Sequence, residues 1–344
     1  MTTLRVGLVG ATGALGKEVL HVLDRAPWRP AVVVPFASRG TQTPYVTYGS
    51  DSVAVDDVSA GAIGGLDLVI LAVPADVART VGAMALEEGV PVVDCSGAMS
   101  DDGAPLVVPW VNPEALQSED PIDVISVPSS GASLLGAVMG PLVRAGLVRT
   151  FDATLLVPAS HWGRAGVDEL SAQVVALFNS GTPPRKVFES GLAFDVLPVV
   201  GELTQSGRTS VEDRIVVETA ELLGLRVAPS IDLLGIPVFS GLMASVRVDL
   251  AKQADLGLVT RILVDGGVRL TDDVRSLPRP RRIEGRPFPD VGRLRINGDR
   301  LTFMAGFDNL RSTATAAVAA AGALLQQRGL ELKRSTPDAT DDDA

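Results

Sequence analysis

Two adjacent serines occupy a position where α/β enzymes often carry a nucleophile. Ser129 and Ser130 follow a short apolar strand and Pro128, and a glycine and an apolar helix come directly after them. A serine hydroxyl attacks an electrophilic carbon only when a neighbouring base removes its proton. The pattern therefore leaves two alternatives, which are a catalytic serine with its base elsewhere in the chain or a nucleophile position that has lost its function.

A glycine-rich turn near the N-terminus has a spacing typical of dinucleotide binding. The stretch "LRVGLVG" predicts a strand and "ATGALGKEVLHVLDRA" an amphipathic helix, with a G-x-x-G-x-x-G pattern from Gly10 to Gly16 on the turn between them. Small residues there let the backbone and the positive end of the helix approach a pyrophosphate. We therefore predict a cofactor site that includes Gly10, Thr12, Gly13, Ala14 and Leu15.

The end of the second predicted strand bears on which dinucleotide is bound. "AVVVPF" is followed by Ser38 and Arg39, not by the acidic residue that holds the free ribose 2′-hydroxyl of NAD. A hydroxyl and a guanidinium suit a 2′-phosphate, which favours NADP over NAD. The alternative is that Arg39 is an arginine on a solvated loop.

Composition excludes several classes of protein. A chain of 344 residues with 46% hydrophobic content can bury a large core in two domains, and its net charge of −11 argues against nucleic-acid binding. The apolar runs are too short for a membrane span and a strand begins almost at once, so we expect a cytoplasmic protein without a signal peptide. One cysteine and two histidines are too few for a disulfide or a zinc cluster, and we expect no metal.

Ordered motifs along almost the whole chain resemble those of the aspartate-semialdehyde dehydrogenase family. They are "VVDCSGAM", "LVVPWVNPEAL", "VPSSGAS", "GRAGVDEL", "RIVVETAELLG", "GIPVFSGL", "VGRLR" and "DNLRSTATAAV". The resemblance implies an α/β protein with an N-terminal Rossmann-like dinucleotide-binding domain and a central α+β dimerisation domain with a large mixed sheet. We place the first domain at 1–128 with 308–331 and the second at 129–307, and we expect 332–344 to be a disordered acidic tail.

The resemblance also implies a chemistry whose side chains are missing here. Family members form a thiohemiacetal on a cysteine, use a histidine as acid and base, and exchange hydride with NADP while an acyl phosphate is made or used. Ser130 falls on the cysteine position, Leu242 on the histidine position, and Gly235 on that of the arginine that grips the substrate carboxylate. Losing such cooperating groups costs on the order of 10⁴–10⁶ in rate, so covalent acyl transfer has no evident route.

Four more residues depart from the family pattern. Ser100 falls on its phosphate-binding arginine, and Val157 falls on a glutamine that precedes a pocket-lining segment. Val73 and Pro74 stand where the family has a run of small residues near the cofactor. Pro74 lacks the backbone N–H that could have met a phosphate, which weakens the prediction of cofactor binding.

Four polar residues remain as candidates for a pocket or a replacement site. His161 falls on the segment that lines the family's pocket, so it either faces a ligand or caps a helix beside a tryptophan. Arg214 and Glu218 keep the family's pair of basic and acidic residues, and their spacing also suits an ion pair that only supports a helix. Cys95 ends a predicted strand where the family has asparagine, and a lone thiol there is more often core packing than a nucleophile.

These features predict a divergent, homodimeric, NADP-binding homologue that resembles the Usg-type members of the family. It would lack the covalent chemistry and act in a regulatory or binding role, pairing with itself or with a related active subunit. The alternative is an active NADP-dependent oxidoreductase of amino-acid biosynthesis that acts on an aldehyde or oxo group by another mechanism. The missing cysteine and histidine favour the first alternative.

Overall fold

The computed structural model describes residues 3–38, 43–117 and 121–330, which divide into two compact units. Within the described residues, the first unit comprises those up to 109, 113–127 and those from 314 onwards, and the second comprises 110–112 and 128–313. Two sequence predictions, on Arg39 and on the tail at 332–344, lie outside the described residues. None of the helices in the described part of the chain has the length and apolar character needed to cross a membrane.

The first unit is built on a parallel six-stranded sheet in the order β5-β2-β1-β6-β7-β8, beside a small antiparallel hairpin of β3 and β4. Its strands are β1 (Arg5–Val9), β2 (Val32–Ala37), β3 (Tyr45–Tyr48), β4 (Asp51–Ala54), β5 (Asp56–Asp57), β6 (Leu68–Leu71), β7 (Val92–Asp94) and β8 (Val124–Ser126). Its helices are α1 (Ala14–Asp24), α2 (Ala60–Ile63) and α3 (Ala75–Glu87). This arrangement confirms the predicted Rossmann-like domain.

Burial explains the sequence of the central strands of this sheet. Leu8 on β1 and Leu68 and Ile70 on β6 have no exposed surface. Parallel strands that are covered on both faces have nearly continuous apolar sequences, and these strands follow that rule. The tight turns that carry the polar groups therefore lie at the carboxyl ends of the strands, where a doubly wound sheet binds its ligands.

The second unit is built on a mixed six-stranded sheet in the order β10-β9-β11-β14-β13-β12. Its strands are β9 (Val148–Val157), β10 (Ser230–Gly235), β11 (Leu242–Leu250), β12 (Arg269–Thr271), β13 (Asp290–Asn297) and β14 (Arg300–Phe307). Its helices are α4 (Ser130–Arg144), α5 (Gly163–Phe178), α6 (Ser210–Leu223), α7 (Leu256–Asp265) and α8 (Pro280–Ile283), while α9 (Asn309–Gln327) begins in this unit and continues into the first. The predicted large mixed sheet is confirmed.

Alternation along the strands gives this second sheet two different faces. On β9, Ala153 and Leu155 are buried, whereas Asp152 is exposed and Thr154 is half-buried. Helix α4 packs against β9 and β14 and covers the apolar face. The opposite face carries exposed and partly exposed side chains, several of which are polar.

Two buried polar side chains of α5 hold the long segment that follows this helix. Glu169 accepts hydrogen bonds from the backbone N–H groups of 186–188 at 2.8–2.9 Å, and Gln173 accepts those of 192–193 at 2.8 and 3.0 Å. Burial raises the pKa of Glu169, but the backbone donors and Gln173 together lower it below its ordinary value. The ionised carboxylate of Glu169 therefore stabilises the folded state.

We expect Glu169→Gln to lower the free energy of unfolding at pH 7 by about 2 kcal/mol, because a neutral amide cannot accept three backbone hydrogen bonds. The folded-state pKa lies below the unfolded one, so this contribution is present above the ordinary glutamate pKa. It is lost as the pH falls through the folded value. Urea unfolding at pH 7 and at lower pH measures the difference.

The matched control for this experiment is Glu189→Gln, because Glu189 lies exposed on the same segment. It should leave the urea midpoint unchanged at both pH values. An unchanged midpoint for Glu169→Gln would contradict the role given to the carboxylate.

Candidate functional site

The turn after β1 requires glycine at Gly10. Its φ of +85° lies in the left-handed region, and a Cβ built there would lie 2.3 Å from the carbonyl oxygen of Ala72. The backbone N–H groups of Gly10 and Ala11 both donate to the carbonyl of Phe36, at 2.9 and 3.2 Å. The turn is thereby closed against the end of β2.

The start of α1 leaves its backbone N–H groups uncapped by side chains. Gly13 is the N-cap residue and makes no side-chain hydrogen bond, and the first turn contains no acidic residue. Thr12, Ala14 and Leu15 are half-buried around it. Free N–H groups at the positive end of a helix suit a pyrophosphate, so this turn fits the dinucleotide predicted from the sequence. Gly16 lies inside α1, where a Cβ would come within 2.1 Å of the Gly10 carbonyl oxygen.

Two segments beside this turn bear on the cofactor. Ser38 directly follows β2 and is exposed, whereas its predicted partner Arg39 lies outside the described residues. Pro74 is the N-cap residue of α3, and Val73 Cγ1 lies 2.8 Å from the position of a Cβ on Gly10. The start of α3 therefore offers no backbone N–H group at Pro74 that could bind a phosphate.

The serine pair lies at the start of α4 in the second unit. Ser129 is the N-cap residue, and its Oγ accepts a hydrogen bond from the N–H of Ala132 at 3.4 Å. Ser130 is the first helical residue, and its hydroxyl has no hydrogen-bond partner among the described residues. A Cβ on Gly131 would lie 2.7 Å from Ile215 Cδ1, so α4 packs closely against α6.

The pair formed by Arg214 and Glu218 also positions the serines. Glu218 is 3% exposed; its Oε1 accepts from Arg214 Nε at 2.8 Å, and its Oε2 accepts the backbone N–H of Ser129 at 2.9 Å. Arg214 Nη2 is buried and has no hydrogen-bond partner in the described part of the chain. The pair is therefore the predicted i,i+4 ion pair, and it has the further effect of fixing the start of α4.

A pocket with about 310 Å³ of empty space, counted with its opening, lies within the second unit beside Ser130. Its polar lining residues are Ser129, Ser130, His161 and Asn309. Its apolar lining includes Leu155, Val157, Ile215, Leu233 and Leu242. No charged side chain is among its lining residues, and neither Arg214 nor Glu218 reaches it.

His161 lines the pocket but does not cap α5, whose N-cap residue is Trp162 without a side-chain hydrogen bond. It lies in a short 3-10 turn (Ala159–Trp162) just before α5, lines the pocket, and makes an edge-to-face contact with Trp162 at 5.0 Å. His161 is exposed as a residue, and desolvation of its ring by the surrounding protein lowers its pKa to about 4. The imidazole is therefore neutral at pH 7 and can donate one hydrogen bond and accept another.

The other two vacated positions are packed with apolar groups. A Cβ on Gly235 would lie 3.1 Å from Leu197 Cβ and 3.4 Å from Trp162, and Leu197 pairs with Gly235 through two backbone hydrogen bonds of 2.8 Å. Leu242 is 2% exposed and lines the pocket. A side chain at Gly235 would therefore require Leu197 to shift by a few tenths of an ångström, and Leu242 at the base position offers no atom that could accept a proton.

Ser100 stands at the position of the family's phosphate-binding arginine. Ser100 Oγ donates to the carbonyl of Gly97 at 2.7 Å. Asp101 and Asp102 follow, and both pair with Arg79, at 2.7 and 3.3 Å. The guanidinium of Arg79 is thus already paired with two carboxylates.

Cys95 does not supply a replacement nucleophile. It follows β7 next to Asp94, a fully buried carboxylate that accepts hydrogen bonds from Ser96, Met99 and Ser126. Burial, and to a smaller extent the charge of Asp94, raises the pKa of the Cys95 thiol far above its usual range. The thiol is protonated at neutral pH, and it is the thiolate that attacks electrophiles.

Sequence reasoning missed two residues of this site. Asn309 lines the pocket, and its Oδ1 accepts from Ser160 Oγ at 3.0 Å and from the Gly241 N–H at 3.3 Å. Leu197 covers Gly235 from a segment without regular periodicity. The motif "DNLRSTATAAV" did contain Asn309, but nothing in it distinguished that amide from a helix cap.

The parallel sheet with a glycine turn in one unit and the mixed sheet in the other define a two-domain protein of the dinucleotide-binding α/β class. A family model for the NAD binding domain of semialdehyde dehydrogenases matches residues 5–119, and one for their dimerisation domain matches 139–312. The chain belongs to the aspartate-semialdehyde dehydrogenase family and is of the Usg type.

Individual relatives agree with this assignment. A USG-1 protein homolog from Pseudomonas aeruginosa is 32% identical over 76% of this chain and 78% of its own length. The structure of a probable aspartate-semialdehyde dehydrogenase from the same organism is 30% identical, with a TM-score of 0.89 over 96% of this chain and 100% of the other. The Vibrio cholerae aspartate semialdehyde dehydrogenase II, complexed with ASA, is 25% identical, with a TM-score of 0.89 over 95% and 99% of the two chains.

We expect Gly10→Ala to lower the free energy of unfolding by more than about 1 kcal/mol, because φ is positive and the methyl group collides with the Ala72 carbonyl. Gly13→Ala is the matched control, since Gly13 has a φ of −73° and a Cβ there lies 3.2 Å from its nearest neighbour. Urea unfolding with circular dichroism measures both variants. Equal midpoints for the two would contradict the strict need for glycine at position 10.

Proposed function

We propose that this protein is a dinucleotide-binding homodimer that has lost the covalent acyl-phosphate chemistry of its family and acts in a regulatory or binding role. The main support is the apolar packing at two of the family's functional positions. Leu242 replaces the histidine base, and Leu197 and Trp162 pack over Gly235. A serine with no base cannot form a covalent intermediate at a useful rate.

The lost groups act together in the family mechanism, so the chemistry is not rescued by any one remaining residue. The neutral imidazole of His161 lines the same pocket as Ser130, but among the described residues its ring has no hydrogen-bond partner that would orient it as a base. A nucleophile needs a base that is itself held in place by a third group. The second unit therefore keeps the shape of the family site without its reacting set.

Binding of a nicotinamide dinucleotide is supported by the turn from Gly10 to Leu15, which would hold the pyrophosphate. When bound, the cofactor would supply hydride exchange. Ser38, two residues beyond the carbonyl that closes the turn, lies on the side where a ribose is recognised in this class of fold. Together with Arg39, it favours NADP.

The purified protein should show no phosphate-dependent oxidation of aspartate semialdehyde above background, since Ser130, Leu242 and Gly235 replace the three key groups. NADPH formation followed by absorbance measures this rate. The double variant Ser130→Cys with Leu242→His should recover little activity, because Gly235 leaves the substrate carboxylate unheld. Turnover by the unmodified protein at a rate normal for the family would refute the proposal.

NADP should bind more tightly than NAD, and Arg39→Ala should remove this preference while leaving affinity for NAD unchanged. Isothermal titration calorimetry with each cofactor gives the four affinities. A conservative control is Arg39→Lys, which keeps a charge for the 2′-phosphate. No heat from either cofactor at millimolar concentration would contradict dinucleotide binding, and equal affinities would contradict the assignment of Ser38 and Arg39.

A homodimer through the second unit is supported by its open sheet face. Thr154, Ser245 and Met304 are aligned across β9, β11 and β14 on this face, and each is only half-buried. A sheet face that is partly apolar and uncovered is a common site of two-fold association.

The sedimentation coefficient at micromolar concentration should correspond to twice the monomer mass of 35.7 kDa. Met304→Arg should shift it to the monomer, because two-fold symmetry brings the introduced charges together or buries them. Val274→Arg is the control at a residue that is 81% exposed. A single monomeric species of the unmodified protein would exclude the dimer.

A further inference from the structure

One stretch of the second unit is basic, although the chain as a whole is acidic. Residues 275–295 contain seven arginines and two acidic residues, whereas the whole chain has a net charge of −11. Three of these arginines, Arg279, Arg281 and Arg282, lie on the short helix α8 or directly before it, and all three are exposed. We call these three residues the arginine surface.

The backbone under the arginine surface is fixed by packing and by hydrogen bonds. Ile283 in α8 has no exposed surface. The N–H group of Gly285 donates to Asp308 Oδ2 at 2.8 Å, and the N–H group of Asp308 donates to the carbonyl of Arg286 at 2.9 Å. Helix α8 is thereby attached to the residue that precedes α9, so a partner that binds its outer side does not have to order the main chain.

Two buried carboxylates on the segments around α8 are already engaged. Asp290 accepts hydrogen bonds from Arg269 with both of its oxygens, and it lies 3.8 Å from Arg286. The carboxylate of Asp308 accepts the backbone N–H groups of residues 285, 310 and 311. Within 275–295, Glu284 is the one acidic residue that is exposed. The positive charge of the arginine surface therefore remains available to a partner.

The arginine surface also differs from other partly exposed arginines of the chain. Arg79 pairs with Asp101 at 2.7 Å, and Arg300 pairs with Asp249 at 3.1 Å. The three arginines on α8 form no ion pair with any residue that the structure describes. A guanidinium is a planar fork that binds a carboxylate through two parallel N–H bonds. Three such groups without internal partners suit several carboxylates on one binding segment.

An exposed aromatic side chain adds an apolar contact on the same stretch. Phe288 is 47% exposed and packs edge to face on Trp110, with the ring centroids 5.1 Å apart. Arginine and aromatic residues are enriched where proteins bind one another, and they carry much of the binding energy there. The composition around α8 is therefore typical of a protein-binding surface.

We propose that the arginine surface and Phe288 bind an acidic segment of a partner protein. Aspartate or glutamate side chains of that segment pair with Arg279, Arg281 and Arg282, and one apolar side chain of it contacts Phe288. These residues lie outside those assigned to the cofactor and to the vacated positions, so this role is additional to the proposed function.

Nucleic acid is the competing partner, and the charge around the arginine surface disfavours it. The affinity of nucleic acid increases with the number of phosphates that basic side chains neutralise. The three arginines match only a few phosphates, and the exposed Asp272, Asp273 and Asp299 flank the basic stretch along the chain. A long polyanion would therefore extend over an acidic protein, whereas a short acidic segment would not.

Fluorescence anisotropy of a labelled peptide on the full-length protein at low ionic strength tests this proposal. The probe is a ten-residue peptide of aspartate and glutamate with one leucine, and its control has asparagine and glutamine in place of the acids. We expect the acidic peptide to bind with a Kd on the order of 0.1 mM through charge-assisted contacts, and the neutral peptide at least about tenfold more weakly. An ionic strength of about 0.5 M should weaken the acidic peptide by a similar factor.

Substitutions connect the binding to α8. Arg281→Gln together with Arg282→Gln should weaken the acidic peptide by about tenfold, the effect of two lost ion pairs. Phe288→Ala should weaken it by about threefold through the lost apolar contact. The matched control is Arg226→Gln together with Arg261→Gln, two exposed arginines of the same unit, because it changes the net charge equally and should leave the affinity unchanged. Circular dichroism confirms that each variant is folded.

Four results would overturn the inference. They are no preference for the acidic peptide over the neutral one; the same loss of affinity in the α8 double variant and in its control; tighter binding of a single-stranded oligothymidine of the same length, which would indicate a nucleic-acid surface; and peptide binding that appears only after Asp341→Asn, Asp342→Asn and Asp343→Asn, which would identify the chain's own C-terminal residues as the occupant. Cofactor titration and turnover are measured separately, so each of these results leaves the proposed dinucleotide binding and loss of covalent chemistry standing.

Discussion

The hydrogen bond from the backbone N–H of Ser129 to Glu218 is the constraint on which the site depends. It joins the first turn of α4 to the middle of α6, and it does so with a carboxylate that is almost fully buried. Such a carboxylate is stable only when its charge is compensated, and Arg214 provides that compensation one helical turn earlier. This connection sets the position of Ser130, the pocket wall formed by Ile215 and the opening of the pocket.

The same backbone framework would serve a covalent enzyme, so the loss of chemistry that we propose would lie in side chains and not in the fold. A histidine in place of Leu242 would stand on the first residue of β11, at the edge of the existing pocket. An arginine in place of Gly235 would require Leu197 to shift, because its Cβ would lie 3.1 Å from Leu197 Cβ. The arginine that binds the substrate carboxylate is therefore harder to restore at Gly235 than the histidine is at Leu242.

Part of this structure could be predicted from the sequence because its signals are local. The strand, glycine turn and helix from Arg5 to Asp24 are determined by continuous apolar residues and by Gly10 and Gly16, where a Cβ would collide with a backbone carbonyl oxygen. The vacated positions could be read from motif spacing. The side chains that pack around those positions could not be predicted, because Leu197 reaches Gly235 from a distant segment that has neither helical nor strand periodicity. The link between Glu218 and Ser129 joins residues 89 positions apart, and a four-residue spacing on one helix predicted only its ion pair with Arg214.

The central claim is that Ser130 forms no covalent bond with an acyl group. Intact-protein mass spectrometry after incubation with NADP and aspartate semialdehyde, with phosphate omitted so that any acyl-enzyme accumulates, tests it directly. We expect only the unmodified mass and no NADPH, with a cysteine-containing family enzyme treated in parallel as the positive control. An added aspartyl group that maps to Ser130, formed together with an equal amount of NADPH, would contradict it.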